Sequence, residues 1–120
     1  MAKAIKGQLA AVDVPGTGTL TDVYTVPTAD PIRESDVNIT IANRANTATD
    51  IRVAHIKGGV AAGVANKDYL TFDLPTSKLA DNRAPLSFTA ILMQEGDTIA
   101  VSSSASAVSV QVNGVEADEA

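Results

Sequence analysis

The chain predicts an all-β fold: a single domain, an antiparallel β-sandwich or small barrel of about seven to eight strands. Three observations predict it. The first is period-two alternation. Val37, Ile39 and Ile41 alternate with Asn38 and Thr40; Leu86, Phe88 and Ala90 with Ser87 and Thr89; Val108, Val110 and Val112 with Ser109 and Gln111. Successive side chains of a strand point to opposite faces, so each stretch has one apolar and one polar face. The second is punctuation: turn signals recur at short intervals, and no stretch carries an amphipathic helical period. The third is strand composition, dominated by Ser, Thr, Val and Ile, which suit a pleated, half-buried surface.

Residues 4–12, with Ile5, Leu9 and Val12, read as a first strand or as an extended arm that orders on a partner. We therefore divide the chain into an N-terminal strand or arm (1–17), a sandwich domain (18–116) and an acidic tail (117–120). Pro15-Gly16-Thr17-Gly18 marks a turn. Leu20 to Val26 is the next strand. Pro27 and Pro31 bracket a loop, since proline lacks the donor that a sheet ladder needs. Asp36 to Ala42 is the clearest half-buried strand, and Asn43 to Thr49 a polar turn. Ile51 to Ile56 follows as a strand. Lys57 to Asn66 (KGGVAAGVAN) reads as a flexible hairpin loop of small residues. Tyr69 to Leu74 is a strand stopped by Pro75, and Thr76 to Arg83 a polar connection. Pro85 to Met93 is a long strand that reverses through Gln94-Glu95-Gly96-Asp97 into Thr98 to Ser103. Ser104-Ala105-Ser106 turns into Ala107 to Asn113. Glu116 to Ala120 reads as a solvated acidic end. Strand order does not follow from the sequence.

Composition narrows the function classes. The chain has 120 residues, 45% of them hydrophobic and 19% charged, which suits a folded domain. Only 3% are aromatic, so the core rests on Val, Ile, Leu and Ala, and a stacking platform for sugar is hard to build. There is no Cys, hence neither disulfide nor thiolate metal site. A net charge of −5, without a Lys/Arg cluster, repels phosphate backbones, so no nucleic-acid partner is expected. No stretch reaches the ~20 apolar residues of a membrane helix, so no membrane partner is expected either. The start, with Lys3 and Lys6 but no clean apolar run of ~7–15 residues after them, reads as mature protein.

Residues able to do chemistry are few. His55, the lone histidine, stands in DIRVAHI without a motif partner and reads as a surface or interface position at a strand end. Asp68 and Asp73 flank a strand, but a glycosidase pair needs a cleft and flanking aromatics. They read as solvated strand ends. Asp13, Asp22, Asp30, Asp36 and Asp50 are too widely spaced for a calcium loop, leaving only a site assembled from several loops. KGGVAAGVANK does not match a phosphate-binding loop. Ser102-Ser103-Ser104 lacks a nucleophile elbow. Asn38-Ile39-Thr40 matches a glycosylation sequon, yet falls inside a strand. We therefore expect no catalytic, cofactor-binding or metal residues, no cofactor and no enzymatic activity. What remains is surface: sheet edges pair with other chains unless blocked.

Several segments resemble a group of small virion proteins of tailed bacteriophages. LTDVYTVP (Leu20 to Pro27) is similar to their opening strand. ITIANRANTATDIRVAHI (Ile39 to Ile56) matches a strand, a short Asn/Thr turn and an "IRV"-like strand. ANKDYLTFDLP (Ala65 to Pro75) and the closing Gly96 to Val101 and Ser109 to Glu116 complete the likeness, over about residues 18–116. The segment before Thr17 departs from it. The resemblance implies a β-sandwich virion structural protein assembled in the host cytoplasm. It is either a capsid decoration (cement) protein or a tail, baseplate or fibre component. Expected partners are the major capsid protein or other virion proteins, and copies of itself, a trimer being favoured. Residues 1–17 and Lys57 to Asn66 are the expected contact regions.

Overall fold

Eight strands form in the computed structural model, which describes residues 4–28, 33–44, 47–76, 86–105 and 107–118. They are β1 (Ala4–Val14), β2 (Thr21–Thr25), β3 (Arg33–Asn43), β4 (Thr49–Ile56), β5 (Tyr69–Thr76), β6 (Leu86–Met93), β7 (Thr98–Ser103) and β8 (Val108–Asp118). Two single-turn 3-10 helices, Ala61–Gly63 and Asn66–Asp68, lie between β4 and β5. The expected all-β sandwich is what forms.

The pairing has a simple logic. β1 pairs with β8, β2 with β7, β3 with β6 and β4 with β5, all antiparallel. These are successive rungs of one long two-stranded ribbon whose tip is the β4–β5 connection. Alternate rungs fall into different sheets. The ribbon is then closed side to side by β3–β8 in one sheet and β4–β7 in the other. The result is sheet A, in the order β1-β8-β3-β6, and sheet B, in the order β2-β7-β4-β5. A wrapped ribbon of eight strands in two packed sheets is a jelly roll.

The alternating stretches supply the core between the sheets. Val37, Ile39 and Ile41 from β3 and Val108, Val110 and Val112 from β8 meet Ile51 and Val53 from β4 and Ile99 and Val101 from β7. All are at most 1% exposed, and each contributes about 1.5–3 kcal/mol by leaving water. Thr40, Asn38 and Gln111 take the other face of sheet A and stay partly or fully exposed.

Two local devices set the register of sheet A. At Gly114 a Cβ would lie 2.1 Å from the Asp36 carbonyl oxygen and 2.8 Å from Val37 Cα, so only glycine lets β8 pass β3 there. Between β3 and β6 the register slips: Val37 faces Ile91, but Ile39 faces Phe88. The extra residue makes a bulge with Ala90 at φ 58°, and Asn38 Oδ1 accepts the Ala90 N–H at 3.0 Å.

Two expectations change, and one pair of alternatives resolves. Of the two readings of residues 4–12, the first strand is what forms: residues 4–14 pair with β8 of the same chain, so this segment is part of the sandwich. β8 runs to Asp118, through what reads as a solvated end, because Glu116 turns inward. It is 6% exposed and accepts the Tyr24 hydroxyl at 2.6 Å. Pro75 does not stop β5. As an edge strand beside β4 alone, β5 tolerates a missing donor and continues to Thr76.

Candidate functional site

Sheet B differs from sheet A in being covered on both faces. Ala54, Ile56 and Ala100 point away from the main core, yet are at most 4% exposed. The segment Lys57 to Asn66 folds back over them, with Ala61 and Val64 packed on the cluster together with Leu20 and Tyr69. Three carboxylates hold this cover by backbone amides. Asp22 Oδ1 accepts from Ala61 N at 2.8 Å, Asp68 Oδ2 from Ala65 N at 2.8 Å, and Asp97 Oδ1 from Gly58 N at 2.9 Å. The run of small residues is thus a folded lid rather than an open hairpin loop; only Val60, at 49% exposure, presents a large apolar side chain.

Asp97 is the hub of one end of the sandwich. It closes the Gln94–Asp97 turn, with Gly96 at φ 77°. Its Oδ2 accepts from Gln94 N at 3.0 Å and lies 3.2 Å from His55 Nε2. An ionised carboxylate only accepts, so Nε2 carries the proton. Burial pushes the Asp97 carboxyl up, but the Gln94 and Gly58 amides and His55 outweigh it and hold it below the usual carboxylate range. His55 lies at the strand end expected of it, with its side chain 24% exposed and packed against a carboxylate at 5%. Asp97, which the sequence reading assigned only to a turn, does more structural work than any aspartate singled out there. A local signal existed in its place after Gly96 at a strand start. The long-range amide from Gly58 had none.

The other candidate residues scatter. Asp13 pairs with Arg44 at 2.9 Å on the surface. Asp73 takes both Arg52 Nε (2.6 Å) and Nη2 (3.2 Å), and the Arg52 hydrogen bond holds its carboxyl below the usual range. Asp36 and Asp50 are exposed, and Asp30 lies outside the described residues. Asp68 and Asp73 each serve a local contact, so they do not form a catalytic pair. Ser103 and Ser104 hydroxyls bond to Thr49 Oγ1 at 3.1 and 2.9 Å. Among the described residues no group of three or more His, Cys, Asp or Glu is placed to hold a metal ion, and no helix is long and apolar enough to cross a membrane.

The edges carry the surface chemistry. Most of the large exposed apolar side chains fall on edge strands: Ile5 (42%) on β1, Leu70 (45%) and Phe72 (55%) on β5, and Leu92 (72%) on β6; Val115 (37%) lies on the inner strand β8 and Val60 in the lid. The Phe72 ring has the Arg52 guanidinium 3.8 Å from its centre and the Tyr69 ring edge-on at 5.0 Å. No family model matches this chain, and no curated protein or solved structure is significantly similar to it.

Proposed function

We propose that this chain is a non-enzymatic structural protein of a tailed-phage virion: a decoration (cement) protein that bridges shell subunits and stabilises the shell. The observation that carries this reading is the placement of Ile5, Leu70, Phe72 and Leu92 on strands with an unpaired edge. Sheet edges are normally blunted with charge, and apolar side chains beside open backbone donors and acceptors favour contact with another chain. The sequence resemblance to phage virion proteins points the same way. So does the jelly roll, which recurs in viral capsid subunits, an analogy at the level of fold.

The mechanism is mass action. A specific contact buries roughly 800 Å² per partner, a modest part of the 6635 Å² this chain exposes. A protein that binds the closed lattice and not the opened one stabilises the closed form in proportion to RT ln(1 + [L]/Kd). The major capsid protein is the partner, and copies of this chain sit together as an oligomer, a trimer on the strength of the resemblance. Contact regions extend from residues 1–17 and Val60 of the lid to the β5 and β6 edges.

The test is heat-triggered genome release from particles with and without this protein, and from particles carrying Phe72→Ser with Leu92→Ser. Release at lower temperature in the absence of the protein, and reduced occupancy of the double variant, are expected. Unchanged release counts against the cement role. A copy number far below that of the major shell protein assigns the chain to the tail, baseplate or fibre instead.

A further inference from the structure

Sheet A carries a chemically labile pair in its middle. Asn113 is the one asparagine of the chain that is followed by glycine. Asn-Gly is a strong turn signal, yet here it runs inside β8, the inner strand between β1 and β3. Asn113 faces Gln8 on β1 and Asn38 on β3, and Gly114 faces Gly7 and Val37. Both residues of the pair are half-buried.

Gly114 is there by necessity. A Cβ at this position would lie 2.1 Å from the Asp36 carbonyl oxygen. The same lack of a side chain leaves the Gly114 nitrogen unshielded towards the side chain of Asn113. The packing of β8 on β3 thus imposes the neighbour that least hinders attack on an asparagine.

We propose that Asn113 is a site of spontaneous deamidation held off by the pairing of β8 with β1 and β3, so that its conversion records, and then fixes, the opening of sheet A. The Gly114 nitrogen gives up its proton and bonds to Asn113 Cγ. The side-chain nitrogen gains a proton and leaves as ammonia, and a succinimide ring remains. Water opens the ring at Cγ to give aspartate, or at the main-chain carbonyl to give isoaspartate. The only co-reactant is water.

In the folded strand the ring cannot close. An extended residue has ψ of about +135°, which holds the next nitrogen away from its own side-chain carbonyl carbon. The neighbouring strands on both sides also fix the backbone groups of β8. Detachment of β8 removes both restraints, and the turn preference of Asn-Gly then bends the freed segment.

The two products differ in consequence. Aspartate adds a charge on the outer face of sheet A and leaves the main chain unchanged. Isoaspartate adds a methylene to the main chain of an inner strand, where the register is strongly specified. Beyond it Gly114 no longer fits against Asp36, and Glu116 is carried away from the Tyr24 hydroxyl. A chain converted this way while open does not close again.

The test follows conversion at Asn113 by peptide mass spectrometry with isoaspartyl-specific labelling, in the intact chain and in the free peptide of residues 108–118 at neutral pH. In native buffer the intact chain should convert at least about a hundredfold more slowly than the peptide, since an inner strand must open first. Urea through the unfolding transition should bring it to the rate of the peptide. On dilution, chains carrying isoaspartate at position 113 should stay sensitive to protease, while unconverted chains and chains carrying aspartate refold. Asn113→Ser, taken through the same incubation, should refold in full; the comparison of chain with peptide needs no variant. Native conversion as fast as that of the peptide, no conversion at Asn113 in urea, or isoaspartyl chains that refold like unconverted ones overturns the proposal.

Discussion

The two sheets use the same apolar interior but differ on their outer faces. Sheet A leaves Thr40, Asn38 and Gln111 to solvent, and its central strands β3 and β8 alternate over Val37–Ile41 and Val108–Val112. Sheet B buries Ala54, Ile56 and Ala100 under the Lys57–Asn66 lid, and every residue of β7 is buried. A sheet covered on one face writes period two into its sequence, while a sheet covered on both faces loses it. The lid, rather than any property of the strands themselves, makes the difference.

Five substitutions break or sharpen this contrast. The largest effect belongs to Gly114→Ala. Its methyl meets the Asp36 carbonyl at 2.1 Å, so sheet A must open; a loss of about 4 kcal/mol is expected by urea denaturation. Gly63→Ala in the lid, with open space around it, should stay within about 0.5 kcal/mol. Next, Ile56→Ala hollows the outer cluster of sheet B and should cost about 3 kcal/mol. Hydrogen exchange should then speed up first at Ala61 and Val64, with Ile39 and Val110 still protected.

Asp97→Asn comes third, at about 2 kcal/mol, through weakened bonds from Gly58 and Gln94. It also alters the pH profile. The folded carboxyl ionises below its unfolded value, so the unfolded chain binds more protons in acid, and stability rises with pH through that window. The contribution is fully present above the unfolded value of about 4 and fades as pH falls through the lower folded value. The variant should flatten that acid limb of a thermal-melt series. Thr40→Ala, on the bare face of sheet A, is the smallest, within about 0.5 kcal/mol.

The sequence made sheet A readable because Val37, Ile39, Ile41 and Val108, Val110, Val112 face the core and alternate with residues that face water. It made the lid unreadable because Gly, Ala and Val at no fixed period look the same whether they pack or not. The lid that carries Ala61 and Val64 is held in part by Asp22 and Asp97, far away in sequence. The inward turn of Glu116 was hidden for the same reason: its partner is Tyr24, on the opposite sheet. As for the candidate site, His55 stood out by being alone of its kind, but nothing local signalled that Asp97 would meet it and the Gly58 amide.

The ribbon with its tip at β4–β5 has a kinetic consequence. Tyr69 finds Ala54 across a short span, whereas Ala4 finds Ala117 only after nearly the whole chain has been drawn in. Each non-local rung must overcome its closure entropy before its contacts compensate. Refolding therefore zips from the tip towards the two chain ends on the millisecond-to-second scale of sandwich proteins, and β1 is the last strand to lock.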